Sequence, residues 1–200
     1  MKMIGEVTNA RFPPSSFNQD ISCRYCGKLE SLAHILGECD HGHLLINLRH
    51  NQVRTIIADS LRESHPGWEV LEEFHCVDTM GNNRRADIIL IDPKNRNAVV
   101  MDPTIRFEKS AEQPNEVDLE KKSIYEPCIP SLQNSLNLRN VEVIGLMIGS
   151  RGTITNFFEN FRVKFRIPKS IIENIVLTVL KGSCLIYNNH ICNNNNNKQK

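Results

Sequence analysis

The sequence predicts an α/β fold, in which a small cysteine- and histidine-rich segment and a helix precede a mixed-sheet domain. Three observations predict it. Cysteine and histidine concentrate near the N-terminus, three apolar segments have the composition of buried strands, and two apolar stripes recur at helical spacing. The predicted order β-β-α-β-α, over roughly residues 60–190, favours a mixed sheet.

The elements follow in order along the chain. A helical stripe over Leu44–Leu61 ends at His65-Pro66-Gly67. Two apolar strands joined by turn residues predict an antiparallel hairpin, and a short helix, a third strand and a late helix with a capping box follow. The predicted bounds are Ala86–Asp92 and Ala98–Phe107 for the hairpin, Asp118–Tyr125 and Val141–Ile148 for the next helix and strand, and Ser170 for the start of the late helix.

Composition limits the classes of function. The net charge of +1 provides no global attraction for nucleic acid or membranes. No run of 18 apolar residues is present, so we expect no membrane partner. Met1–Phe12 lacks the apolar centre of a signal peptide, which predicts an intracellular, reducing location. Closely spaced cysteines in that setting indicate a metal site rather than disulfides.

Cys23, Cys26, His34 and Cys39 have the spacing C-x2-C-x7-H-x4-C. Three thiolates and one imidazole complete a tetrahedral shell and leave no position for a substrate, so the pattern predicts a structural Zn²⁺ site. His41 and His43 are the alternative imidazole ligands.

The predicted hairpin carries two carboxylates, Asp87 and Asp102, that fall within one residue of being opposite. Asp102 interrupts a run that otherwise has the composition of a buried strand, so a positive charge must meet it. Mg²⁺, which prefers hard oxygen ligands, is one candidate. A salt bridge is the equal alternative, with Arg84, Arg85 or Arg106 as the partner.

Phosphodiester hydrolysis at such a site also needs a cationic side chain. Many sites of this kind carry a lysine two residues after the second carboxylate, but here that position is Thr104. Lys121 or Lys122, on the following helix, can replace it. Lys121 and Tyr125 are four residues apart and therefore share a helical face.

These motifs together resemble a known family. The cysteine–histidine pattern, then Arg49-His50-Asn51, R-A-D-I-I-L, V-V-M-D-P-T-I-R-F-E and K-x3-Y, is similar to the C-terminal region of site-specific non-LTR retrotransposon polyproteins. That region contains a CCHC zinc knuckle and a restriction-like endonuclease of the PD-(D/E)XK superfamily. The resemblance covers roughly residues 10–190. Together with composition, it predicts five segments: a loop-rich lead-in (1–20), the knuckle (21–42), a connecting helix (43–64), the endonuclease domain (65–190) and a disordered Asn-rich tail (191–200).

The resemblance also implies an activity. The family nicks target DNA with Mg²⁺, and the freed 3′-hydroxyl primes reverse transcription. The two catalytic carboxylates fall on Asp87 and Asp102, the relocated lysine on Lys121 and the accompanying tyrosine on Tyr125. The knuckle and Arg49-His50-Asn51 would bind nucleic acid, either the DNA target or RNA, in the nucleus. A reverse transcriptase supplied elsewhere would be a partner, because we expect the chain to be a detached or truncated tail of such a polyprotein.

Two positions depart from the family pattern. Ala86 precedes Asp87 where proline is usual, and Pro103 follows Asp102 where an aliphatic residue is usual. Glu72, Glu73 and Glu108 remain candidates for further metal ligands. Two rival functions stay open: a catalytically inactive nucleic-acid-binding relic that contains zinc, and a zinc-dependent protein–protein adaptor.

Overall fold

The computed structural model describes residues 21–192. The predicted lead-in (1–20) and most of the predicted Asn-rich tail lie outside the described residues. Residues 191–192, which we assigned to that tail, belong to the last helix. The division into five segments remains a prediction.

Six α-helices and four strands form the described part of the chain, with short 3-10 turns at Asp40–Gly42 and Glu126–Cys128. The elements are α1 (Leu32–Gly37), α2 (His43–Ser64), β1 (Glu69–Val77), β2 (Asn83–Asp92), β3 (Asn97–Arg106), α3 (Gln113–Tyr125), α4 (Ile129–Leu136), β4 (Asn140–Gly149), α5 (Asn156–Lys164) and α6 (Ser170–Cys192).

The strands form one mixed sheet in the order β1-β2-β3-β4. The first three strands pair antiparallel, and β4 pairs parallel to β3. The predicted mixed-sheet α/β class and the β2–β3 hairpin are therefore confirmed. Strand β1 was not predicted, because its residues Glu69–Val77 include three glutamates and lack a continuous apolar run.

Side-chain alternation along the strands divides the core between the two faces of the sheet. Ile88 and Leu90 pack in the larger cluster with α2, α5 and α6, whereas Ile89 and Ile91 pack in the cluster that includes Tyr125 and residues of α4. Each face of the sheet is thus covered by helices, and alternate residues of β2 pack against different helices.

Helix α6 is long and apolar enough to cross a membrane by length and composition alone. Its inward side, however, packs into the core of this fold: Ile171, Ile175 and Val179 are at most 3% exposed. The helix lies against α2, which places its C-terminal end beside the cysteine-rich segment.

Candidate metal centre and carboxylate cleft

The cysteine-rich segment folds so that four side chains converge. A bridge between Ser22 and Leu29 closes the first turn, where Gly27 has a φ of 72° and donates its N–H to the Cys23 carbonyl oxygen. That left-handed conformation suits glycine. Ser31 accepts the His34 N–H and so caps α1, which carries His34 toward the turn.

The four predicted ligands fit one zinc ion. All their ligand atoms lie within 4.8 Å of one another. Cys23 Sγ lies 3.7 Å from Cys39 Sγ, and Cys26 Sγ lies 3.3 Å from His34 Nε2. A tetrahedral ion with Zn–S bonds of about 2.3 Å separates two sulfurs by roughly 3.8 Å, close to the observed spacing. Cys23, Cys26, His34 and Cys39 can therefore bind zinc.

The alternative ligands lie elsewhere. His41 stacks on Tyr25 with ring centroids 3.6 Å apart, and His43 contacts Asn47 on the surface. Within the chosen set, burial raises the pKa of the Cys39 thiol to about 12, and the neighbouring Cys23 adds to that effect. A bound cation is what allows several thiolates to coexist at such a site.

The two carboxylates also converge. Strands β2 and β3 pair from Asp92–Asn97 to Ile88–Met101, so Asp87 and Asp102 face each other one position beyond the last pair. They are 9% and 4% exposed. Both line an open cavity of about 310 Å³, here called the carboxylate cleft, together with His50, Thr104 and Lys121.

Asp102 is held by three side chains. Lys121 Nζ lies 3.1 Å from Oδ1, Thr104 donates to the same oxygen at 3.1 Å, and the Tyr125 hydroxyl lies 3.0 Å from Oδ2. Burial and then repulsion by Asp87 raise the pKa of Asp102, in spite of Lys121. Burial and the adjacent carboxylates raise the pKa of Tyr125, which keeps its hydroxyl a donor.

The partners of the two carboxylates differ from those that the sequence suggested. His50 Nε2 lies 3.2 Å from Asp87 Oδ2, and Lys121 is the partner of Asp102. The suggested salt bridges are wrong, because Arg84, Arg85 and Arg106 pair with Asp78, Glu73 and Glu120 instead. Lys122, the other candidate lysine, pairs with Asp118.

A glycine on β4 sets the position of Lys121. Gly145 pairs with Asp102 in the parallel register. A Cβ at Gly145 would lie 2.8 Å from both Lys121 Cγ and the Val117 carbonyl oxygen. Asp118 further fixes α3 by accepting the Gly145 N–H at 2.9 Å. The absence of a side chain thus allows α3 to approach the sheet closely enough for Lys121 to meet Asp102.

The three residues predicted to bind nucleic acid point in different directions. Arg49 is 1% exposed and donates to Leu36 O and Ser183 Oγ, so its guanidinium is engaged within the fold, and its predicted contact with nucleic acid stays a prediction. His50 lies in the carboxylate cleft, and Asn51 lines a separate groove between α2 and α6. Consecutive helical residues do not share a face, which explains the divergence.

The additional glutamates do not line the carboxylate cleft. Glu72 pairs with Arg54 and Arg62, and Glu73 pairs with Arg54 and Arg85. Glu108 pairs with Arg151 across the loop after β3. In the structure, all three carboxylates are therefore committed to arginines.

No protein-family model matches the chain. It is similar to a retrotransposon polyprotein. The relative is the "Retrovirus-related Pol polyprotein from type-1 retrotransposable element R2" of Popillia japonica, 30% identical over 196 residues that cover 94% of this chain. The chain spans 38% of that relative's length. The predicted relationship to retrotransposon polyproteins is confirmed at this level.

Proposed function

We propose that this chain is the DNA-nicking endonuclease region of a retrotransposon Pol polyprotein, with a zinc knuckle that binds nucleic acid. One observation carries the proposal: Asp87, Asp102 and Lys121, drawn from three elements, line one open cleft, and Tyr125 contacts Asp102 from its buried side. Shared contact with one reacting atom is what a catalytic constellation requires. The similarity to a Pol polyprotein supports the same conclusion.

The carboxylate cleft suits a divalent cation. Asp87 and Asp102 present hard oxygen ligands from adjacent strands, and burial, followed by repulsion from Asp87, raises the pKa of Asp102. Mg²⁺ binds one or two protein carboxylates together with substrate phosphates. When bound, Mg²⁺ would polarise the scissile phosphate and lower the pKa of a bound water.

The other side chains at the cleft would have two roles, which are to stabilise charge on the phosphate and to orient the two carboxylates. The Lys121 ammonium supplies positive charge next to the Asp102 carboxylate, where charge on a phosphate would develop. Thr104 donates to Asp102 Oδ1. The Tyr125 hydroxyl contacts Oδ2 at 3.0 Å and shares its single proton between that oxygen and the Arg85 carbonyl oxygen, so both residues orient the carboxylate. His50 holds Asp87 in the same way from α2.

The knuckle would bind nucleic acid without taking part in the chemistry, because its four ligands leave zinc no open position. The partners would be the DNA target or RNA, and a reverse transcriptase acting on the nicked strand, in the nucleus. We propose no membrane partner.

A plasmid-nicking assay tests the proposal. Zinc-loaded protein is incubated with supercoiled DNA and Mg²⁺, and Asp102→Ala is compared with Asp59→Ala, which removes an exposed aspartate of α2 that pairs with Arg62. We expect nicking by the wild-type protein and the Asp59 variant but not by the Asp102 variant. Equal nicking by all three would refute the assignment of the cleft.

One observation favours an inactive nucleic-acid-binding relic as the second candidate. Asp102 is already paired with Lys121, Thr104 and Tyr125 and needs no cation for charge balance. Binding of DNA that weakens with salt, without nicking, would support this function. Zinc binding with no affinity for nucleic acid would instead support the protein–protein adaptor.

A further inference from the structure

A buried polar group connects the knuckle with the far end of the chain. Glu30 and His190, 160 residues apart, are 0% and 1% exposed. The ligand atoms of Cys23, Glu30 and His190 lie within 4.8 Å of one another. None of the sequence motifs includes His190, and zinc coordination by the four predicted ligands does not use it.

The contacts determine how the His190 ring is oriented. His190 Nε2 lies 3.1 Å from Glu30 Oε2 and 3.8 Å from Cys23 Sγ. An ionised carboxylate only accepts hydrogen bonds, and on that basis we assign the proton to Nε2, which then points it between the carboxylate and the sulfur. A nitrogen that donates in this way has no lone pair free for a metal.

The backbone of His190 is held as well. The Tyr25 hydroxyl donates to the His190 carbonyl oxygen at 3.2 Å, and the Tyr25 ring meets the imidazole edge-on with centroids 5.0 Å apart. Tyr25 lies between the two cysteines of the first turn. The turn that carries Cys23 and Cys26 therefore also contacts both the main chain and the side chain of His190, in the last turn of α6.

We propose that His190, oriented by Glu30, is a positioning residue of the zinc centre that donates to the Cys23 sulfur, and that zinc binding thereby fixes the C-terminal end of α6. The inference rests on the zinc site of the proposed function but not on nuclease activity. A hydrogen bond to a ligand atom orients it and stabilises its metal-bound form, and loss of such partners typically weakens metal binding about 10–100-fold.

The consequence extends beyond the knuckle, because α6 also secures α2. Ser183 of α6 accepts from Arg49 Nη1 at 2.7 Å and donates to the Ser150 carbonyl oxygen at 2.6 Å. Gly182 packs directly on the Arg49 side chain, where a Cβ would lie 2.7 Å from Cγ. The residue after Arg49 is His50, which contacts Asp87. A chain of direct contacts thus runs from the knuckle through α6 and α2 to the carboxylate cleft.

The first measurement is zinc affinity, by competition with a chromophoric chelator. His190→Ala and Glu30→Gln are compared with His75→Ala, which removes an exposed histidine of β1. We expect affinity to fall about 10–100-fold for His190→Ala and by less for Glu30→Gln, and to stay unchanged for the control. Glu30→Gln is the milder change and keeps the test valid if His190→Ala does not fold.

The second measurement is hydrogen exchange of the wild-type protein with zinc and after chelation. We expect residues 186–192 to lose protection when zinc is removed while the strand β4 keeps it. The third is the visible spectrum of the Co²⁺-substituted protein, which should show the same tetrahedral ligand set in wild type and His190→Ala, because an outer-sphere residue leaves that set intact.

Three results would overturn the inference: equal zinc affinity in His190→Ala and wild type, zinc-independent protection of residues 186–192, or a cobalt spectrum that loses a ligand in His190→Ala. The last would make His190 a direct ligand. Failure of the wild-type protein to bind zinc at all would overturn the knuckle itself, and it is distinguishable from each of these.

Discussion

The knuckle and the carboxylate cleft are both sites where acidic or metal-binding side chains converge, but they are assembled differently. The four ligands of the knuckle come from Cys23–Cys39, and a turn and one short helix bring them together. The cleft draws Asp87 and Asp102 from two strands and Lys121 from a helix. The first site depends on local chain geometry, and the second depends on how α3 docks on the sheet.

The two sites also differ in openness. Cys23 and Cys39 are at most 2% exposed, and the four candidate ligands would fill a tetrahedral shell. The cleft is an open cavity of about 310 Å³. A structural metal favours the first arrangement, and a cation that shares its ligands with a substrate favours the second.

The largest expected effect is that of replacing Asp102, which should lower the nicking rate without lowering the thermal stability. We expect Asp102→Asn to lower the nicking rate by about 10³-fold or more, because the charge that would hold the cation is lost. Burial and Asp87 raise the pKa of Asp102, so its ionised form opposes folding as the pH rises through that pKa. The thermal midpoint of the variant at pH 8, without divalent cations, should therefore equal or exceed that of the wild type.

Circular dichroism gives the midpoint and the plasmid assay gives the rate. A variant that loses both activity and stability at pH 8 would mean that Asp102 is structural, as the knuckle ligands are.

The next effect concerns the Lys121 ammonium group at the carboxylate cleft. We expect Lys121→Ala to reduce the nicking rate by about 10²–10³-fold, since the ammonium would stabilise developing charge on the phosphate. Lys122→Ala is the matched control, because Lys122 pairs with Asp118. If the same assay shows a greater loss of nicking rate in the Lys122 variant, Lys122 and not Lys121 has the proposed role.

A third change tests the dependence of the cleft on helix docking. Gly145→Ala should lower the free energy of unfolding by about 1–3 kcal/mol, because the new Cβ meets Val117 O and Lys121 Cγ at 2.8 Å. It should also reduce nicking by displacing Lys121. Gly37→Ala, where a Cβ meets nothing within 4 Å, is the control for urea denaturation. Similar free energies for the two variants would argue against the close approach of α3.

The smallest expected effect concerns the orientation of Asp87. We expect His50→Ala to reduce the nicking rate about tenfold, because His50 contacts Asp87 and helps to orient it. The affinity for DNA should stay unchanged. Asn51→Ala should change neither quantity. Fluorescence anisotropy gives the affinity, and a loss of binding without a change in rate would restore the nucleic-acid role that the sequence suggested for His50.

The same contrast explains what the sequence could predict. The knuckle ligands are close in sequence, so spacing identified them, and the turn at Pro93–Asn97 set the hairpin register that aligns Asp87 with Asp102. Helical spacing put Lys121 and Tyr125 on one face, and both contact Asp102. Contacts between distant elements left no such pattern: the burial of Arg49 against α6 and the approach of His190 to Cys23 depend on packing that no local motif encodes.

We propose that Asp87 and Asp102 form a divalent-cation site separate from the zinc knuckle. Titration of zinc-loaded, isotope-labelled protein with Mn²⁺, followed by paramagnetic broadening of amide signals, tests this proposal. We expect broadening first around Asp87, Asp102 and Gly145, and its loss in Asp102→Ala. Broadening centred elsewhere, or an unchanged pattern in that variant, would contradict it.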